Sequence, residues 1–409
     1  MSRWIIRKES IFLFLDIIIV MILSGTAYKL VYTNLQFLIY LPLIWHFKTL
    51  ISLLKNISGE LIVIIAMIVV PLVSHFGESP IWYLQFLGQV LAIYCIAASF
   101  YYEDVIDAFM KFMTFITIES LLFYPLILFT SLPSHVPVVM SPHGAYYGFL
   151  PGFVFSVGAS GRNCGVFWEP GIFASMLIIS MIISLYRIRN ADDIVERSVV
   201  KEKKRIFIFT IALLTTSSSA GIVLLGLFIL LAILSRMDIS KLSISKLIAT
   251  IFFMVIFVAL IADYSKILTL AGLGDNEYWS RLTSSDSVMN NLRFKYLAQN
   301  IESLKGNVVF GLGIKATNRI VVTGADTSTS LYLMMIFGIL GASFTILYIV
   351  NLCKLKLNVL AKIILVIIAM IILNKEPHLN TIVSWLLLFT LIERKYDKKN
   401  CYDCFQNNN

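Results

Sequence analysis

Apolar runs recur along this chain, each close to the length at which a helix crosses a bilayer core, about 20 mostly apolar residues. They cover residues 11–28, 35–54, 61–76, 81–100, 112–131 and 170–186, and then 247–264, 327–350, 358–373 and 381–392. The run 206–234 is too long for one span. It is interrupted by Thr215-Thr216-Ser217-Ser218-Ser219-Ala220-Gly221, a polar turn between two short spans. The pattern predicts an all-α, polytopic integral membrane protein, a single membrane domain over 1–409 with about twelve transmembrane helices.

Lys and Arg orient the spans. Arg3, Arg7 and Lys8 place the N-terminus in the cytoplasm, and no small-residue cleavage site follows the first run, which reads as a signal anchor. The strongest orientation signal is 187–205, a cytoplasmic loop holding Arg187, Arg189, Arg197, Lys201, Lys203, Lys204 and Arg205. The stretch 101–111 reads as a short cytoplasmic link. Two long loops fall outside, 132–169 and 265–326, and the polar tail 393–409 returns to the cytoplasm. Both termini are therefore expected on the cytoplasmic side.

Composition agrees with this pattern. The chain is 58% hydrophobic and 14% charged, with a mean hydropathy of +0.85. A bilayer absorbs that much apolar surface and water does not. The net charge of +9 would suggest nucleic acid for a soluble protein. Here the basic residues flank helices, so membrane lipids are the expected partners and nucleic acid is not. Of five cysteines only Cys164 lies in an external loop, so no disulfide framework is implied. No Walker loop, Rossmann glycine pattern, His-Glu-x-x-His or external Asp-x-Asp occurs, so no cofactor and no metal site is expected.

Candidate chemistry concentrates where the first external loop meets a span: Gly161-Arg162-Asn163-Cys164-Gly165-Val166-Phe167-Trp168-Glu169-Pro170-Gly171. Pro170 suits a first helical position, and Glu169 before it faces the positive end of the helix dipole. Glu169 is placed either to activate a sugar hydroxyl or to cap the helix and pair with Arg162. The second loop adds Arg281 and Arg293, followed by a helix over 296–304. A guanidinium is always charged and matches phosphate oxygens with a two-pronged fork. The three arginines are therefore candidates to hold a diphosphate. Trp168, His143, Lys315 and His378 are candidate substrate contacts. The aromatic run 146–153 reads as an interfacial belt or a sugar platform. Asp16, Glu119 and Asp263 are carboxylates within or near spans and do not line up as an ion path.

Four places resemble the O-antigen polymerase (Wzy) family, within the O-antigen ligase/polymerase superfamily. Arg162 to Gly171 is similar to that family's external Arg-x-x-Gly-x-Phe-x-Glu-Pro motif. Leu214 to Ile222 is similar to its Thr-x-Ser-Arg-Gly turn, with Ser219 where arginine is common. Arg281, Arg293 and the closing Val309-Phe310-Gly311-Leu312-Gly313 resemble its second loop, and Ser330 to Gly341 resembles the following span. The resemblance implies a metal-independent membrane glycosyltransferase. It would move a growing glycan from undecaprenyl diphosphate to a lipid-linked repeat unit in the bacterial inner membrane. Arg162, Arg281 and Arg293 would bind diphosphates, and Glu169 would orient or activate the acceptor. A chain-length regulator and a flippase are implied partners. Ligases of the superfamily show a His-Asn pair after the second loop, where this chain reads Ala325-Asp326-Thr327-Ser328. The other readings are that ligase and a lipid-linked oligosaccharide flippase.

Overall fold

The computed structural model describes residues 2–26, 33–55, 57–75, 79–130, 135, 138–141, 144–148, 154–156, 162–190, 196–236, 292–320, 328–375 and 383–392. The chain divides into two compact units. The first holds Met1–Phe112, Leu292–Lys354 and Leu373–Asn409; the second holds Met113–Asn291 and Leu355–Ile372.

The described chain is mostly helical. Three of its helices are long and apolar enough to cross a membrane: Pro80–Ser99, Pro170–Arg189 and Thr329–Cys353. A bent pair, Asn34–Trp45 with Phe47–Lys55, makes a fourth if counted as one span. Shorter apolar helices cover Ile11–Ile22, Gly59–Ser74, Ala220–Leu234, Val359–Asn374 and Val383–Ile392. Among the described residues three or four helices are thus long enough to span, and the expected count of about twelve is not confirmed. The expected span 247–264, most of the second external loop and the tail 393–409 lie outside the described residues.

In the first unit, α1 (Ser2–Ile22) leads to a 3-10 helix, Thr33–Tyr40, then α2 (Leu41–Trp45), α3 (Phe47–Lys55), α4 (Gly59–Ser74) and α5 (Pro80–Ser99). Pro42 in the first turn of α2 cannot donate a backbone hydrogen bond, which suits the change from 3-10 to α winding there. The stretch expected as one straight span, 35–54, instead turns through 73° at His46. Ser58 caps α4 by accepting from the Leu61 N–H at 3.2 Å. The core is aromatic. Phe86 stacks on Trp82 and on Phe337, with ring centres 5.3 and 5.5 Å apart, and Trp385 lies 4.3 Å from Phe344.

Helix α6 (Tyr102–Phe129) carries the chain from the first unit into the second. The expected link 101–111 is therefore helical. Glu103 and Asp104 sit in its first turn, where the helix dipole favours them. Asp107 and Lys111 pair at 2.7 Å, one turn apart. Phe115, Leu122 and Phe129 lie seven residues apart, and each is 63–69% exposed. An apolar stripe open to the outside is what a lipid-facing helix shows.

Among the described residues, the departure from an all-α chain lies in the second unit. Val138–Ser141, Gly144–Gly148 and Val154–Ser156 form an antiparallel sheet in the order β1-β2-β3. The register pairs Val139 with Tyr146 and Tyr147 with Phe155. These segments are rich in β-branched and aromatic residues, are far too short to span, and lie in the stretch expected as the first external loop. After the loop come α7 (Pro170–Arg189), α8 (Glu196–Thr215) and α9 (Ser219–Leu234). The expected basic loop 187–205 is mostly the ends of α7 and α8. Its Glu202 is buried and takes Arg205 at 2.6 Å, Arg187 at 3.6 Å and the Ser184 hydroxyl at 2.7 Å. The expected polar break in 206–234 is present: α8 ends at Thr215, Ser217 has φ +44°, and Ser218 caps α9.

Candidate functional site

The site begins with the polar break. At the end of α8 the last carbonyls have no partner within the helix. The incoming loop supplies donors to two of them. The Asn163 N–H donates to the Thr215 carbonyl at 3.0 Å, and Arg162 Nε donates to the Thr216 carbonyl at 3.3 Å. The two stretches that stood out separately along the sequence, Arg162–Gly171 and the Ser/Thr turn, are thus one structure.

Asn163 does most of the anchoring. It is buried, and its amide nitrogen donates to Thr215 Oγ1 at 2.9 Å and to Ser120 Oγ on α6 at 3.2 Å. Its Oδ1 accepts from the Gly165 N–H at 2.9 Å. The chain then turns tightly, with the Phe167 N–H on the Cys164 carbonyl at 3.1 Å. Phe167 is buried and stacks on Phe173, ring centres 5.7 Å apart. This ties the loop to the first turn of α7.

Pro170 occupies the first turn of α7 and Glu169 its N-cap, with extended backbone (φ −137°, ψ 143°). The Glu169 side chain makes no capping hydrogen bond and is exposed. Of the two roles open to it, capping is not the one adopted. Arg162 and Trp168 are each half-buried. Arg162, Trp168 and Glu169 therefore share one short loop pinned between α6, α7 and the α8–α9 turn.

The other candidates lie elsewhere in the chain. Arg293 belongs to the first turn of α10 (Leu292–Leu304), in the first unit. Lys315 is exposed on α11 (Gly313–Ile320). The start of α11 is fixed by the Ile314 N–H, which donates to the Tyr83 hydroxyl at 3.2 Å. Arg281, His143 and His378 lie outside the described residues.

A second pair of sequence motifs also meets, within the first unit. The Leu312 N–H donates to the Met335 carbonyl at 2.6 Å. This brings Val309–Gly313 against the end of α12 (Thr329–Phe337), which continues through a 3-10 turn, Gly338–Gly341, into α13 (Ala342–Cys353). His75, at the end of α4, reaches the Phe310 carbonyl with Nε2 at 3.2 Å. Sequence reasoning passed over His75, and also Asn163, Ser120 and Thr215. The available signals were the adjacency of Asn163 to Arg162 and a serine in the middle of an apolar run. Among the described residues no group of three or more His, Cys, Asp or Glu side chains could hold a metal ion.

Replacing Asn163 with alanine removes two donated bonds and one accepted bond, all among buried or half-buried groups. Such unmet groups cost about 1–3 kcal/mol. The expected outcome is a lower thermal midpoint of the detergent-solubilised protein together with lower activity. Unchanged values for both would show that Asn163 does not hold the loop.

Comparison with protein-family models, with curated proteins and with solved structures finds no match for this chain.

Proposed function

We propose that this protein is a repeat-unit polymerase at the outer face of a bacterial inner membrane, with both termini in the cytoplasm. It transfers a growing glycan from undecaprenyl diphosphate to a lipid-linked repeat unit, for O-antigen or a related surface glycan. A chain-length regulator and a flippase are its natural neighbours in the membrane.

The observation that carries this reading is the docking of Arg162 against the α8–α9 turn. A guanidinium seated by Nε on a backbone carbonyl has its plane set, and its paired terminal nitrogens are the prongs that match two phosphate oxygens. In the reaction, an acceptor sugar hydroxyl attacks the anomeric carbon of the donor glycan. The bond from that carbon to the diphosphate breaks, and negative charge builds on the leaving diphosphate. Arginine stabilises this charge as it develops, with Arg162 and Arg293 in that role and Arg281 binding the second lipid diphosphate. Glu169, exposed at the start of α7, takes the proton of the acceptor hydroxyl. Trp168, His143, Lys315 and His378 contact sugars or phosphates.

The test is the surface-glycan pattern on a gel of cells lacking the protein. A core-plus-one-repeat band without a ladder is the expected result. Long polymer retained on the carrier lipid would make the protein a ligase. Single repeats trapped on the cytoplasmic leaflet would make it a flippase, and an unchanged ladder would overturn the reading.

A further inference from the structure

The sequence pattern treats 35–54 as one span, but the structure turns the chain through 73° at His46. The turn is held in place. Asp16, fully buried on α1, accepts from Trp45 Nε1 at 2.9 Å and meets His46 Nε2 at 2.8 Å. Trp45 also packs on Phe12, and His46 on Phe100, with ring centres 5.6 and 5.2 Å apart. The last two residues before α3 are therefore pinned by α1 and the end of α5, and α3 leaves at a fixed angle.

None of the nine residues of α3 is buried. At about 100° per residue, its side chains sort into three strips. Thr49, Leu50 and Leu53 are half-covered, on the side where Ser99 donates to Thr49 Oγ1 at 2.9 Å. Phe47, Ile51 and Leu54 form the next strip and are 57, 39 and 51% exposed. Lys48, Ser52 and Lys55 form the third. An apolar strip beside a basic one, with no acidic residue, is the pattern of a helix lying in the interface plane.

Length agrees. The eight residues of the 3-10 helix at about 2 Å each and the five of α2 at about 1.5 Å cover roughly 24 Å. That approaches a ~30 Å core before α3 begins. A straight continuation would instead hold Lys48 about 10 Å deeper than Lys55, where a charge is costly.

We infer that α3 lies flat at the membrane boundary, its Phe47, Ile51 and Leu54 strip in the acyl region and Lys48 and Lys55 on anionic phospholipid headgroups. This holds whichever reaction the protein performs, because it rests on α1 to α5 alone.

The test uses the full chain with the exposed or tail cysteines Cys353, Cys401 and Cys404 changed to serine, and buried Cys95 and Cys164 kept. Single cysteines are introduced in turn at 47–55. Each variant is reconstituted in vesicles of phosphatidylcholine alone or with phosphatidylglycerol, and a water-soluble thiol reagent is applied to both sides. Positions 48, 52 and 55 are expected to label several-fold faster than 47, 51 and 54. The protection of 47, 51 and 54 should deepen with phosphatidylglycerol, and Lys48→Gln with Lys55→Gln should remove that deepening. Uniform slow labelling would make α3 part of a span, and uniform fast labelling would place it in water. A periodic pattern indifferent to phosphatidylglycerol would overturn the headgroup contact.

Discussion

Arg162→Ala is expected to abolish chain extension while the protein accumulates in the membrane at its normal level. The two halves of that expectation have separate causes. The arginine donates from Nε to the Thr216 carbonyl, a bond worth on the order of 1 kcal/mol. The loop remains held by Asn163, through Ser120, Thr215 and Gly165. Stability should therefore change little. Activity should fall at least about 10²-fold, the usual consequence of removing a group that meets developing charge. Arg162→Lys is expected not to restore it, because a lysine keeps the charge but offers a single point rather than a fork. The readout is the glycan ladder of complemented cells beside the protein level on a blot. A normal ladder with Arg162→Ala would remove the diphosphate clamp. Asn163→Ala separates the two causes, since it should lower the thermal midpoint and activity together, whereas Arg162→Ala should lower activity alone.

How legible the site was depends on which interaction places each residue. Pro170 and the span after it could be read from sequence because they rest on local rules: a proline at a helix start and a long apolar run. The break at Thr215–Ser218 was legible for the same reason. That Asn163 reaches 43 residues back to Ser120 and 52 forward to Thr215 was not, since no local rule specifies contacts from a loop to the middle of one distant helix and the end of another. Glu202 is a related case. The segment 187–205 was read only for its seven bases, yet Glu202 is buried between Arg187 and Arg205. Net charge records how many charges a segment has, and pairing depends on helices that the segment joins. The bend at His46 also escaped the pattern, because apolar content alone does not distinguish a straight span from one turned by a buried Asp16. The strands Val138–Ser141, Gly144–Gly148 and Val154–Ser156 escaped because they are short and overlap an aromatic run, 146–153, that was read as an interfacial belt or a sugar platform.

Gly338→Ala should be the most damaging single substitution to the fold. Gly338 has φ +64° and ψ −151°, a region open in practice only to glycine. A Cβ there would lie 2.1 Å from the Val309 carbonyl oxygen and 2.6 Å from the Gly311 nitrogen. Both neighbours are backbone, so neither can swing aside. Relief would mean pulling Val309–Gly313 away from α12 and breaking the bond from the Leu312 N–H to the Met335 carbonyl. Backbone strain and lost packing together should cost on the order of 4 kcal/mol. The start of α11, with exposed Lys315, follows directly and would shift with the loop. Gly306→Ala is the control. Gly306 also has a positive φ, +84°, but a Cβ there meets nothing within 4 Å. Its cost should be only the strain of the left-handed backbone, about 1 kcal/mol. Membrane protein level and the thermal midpoint in detergent measure both. The expected order is a small drop for Gly306→Ala and little or no folded protein for Gly338→Ala. Equal, mild effects would mean that the two motifs do not approach as closely as Gly338 allows.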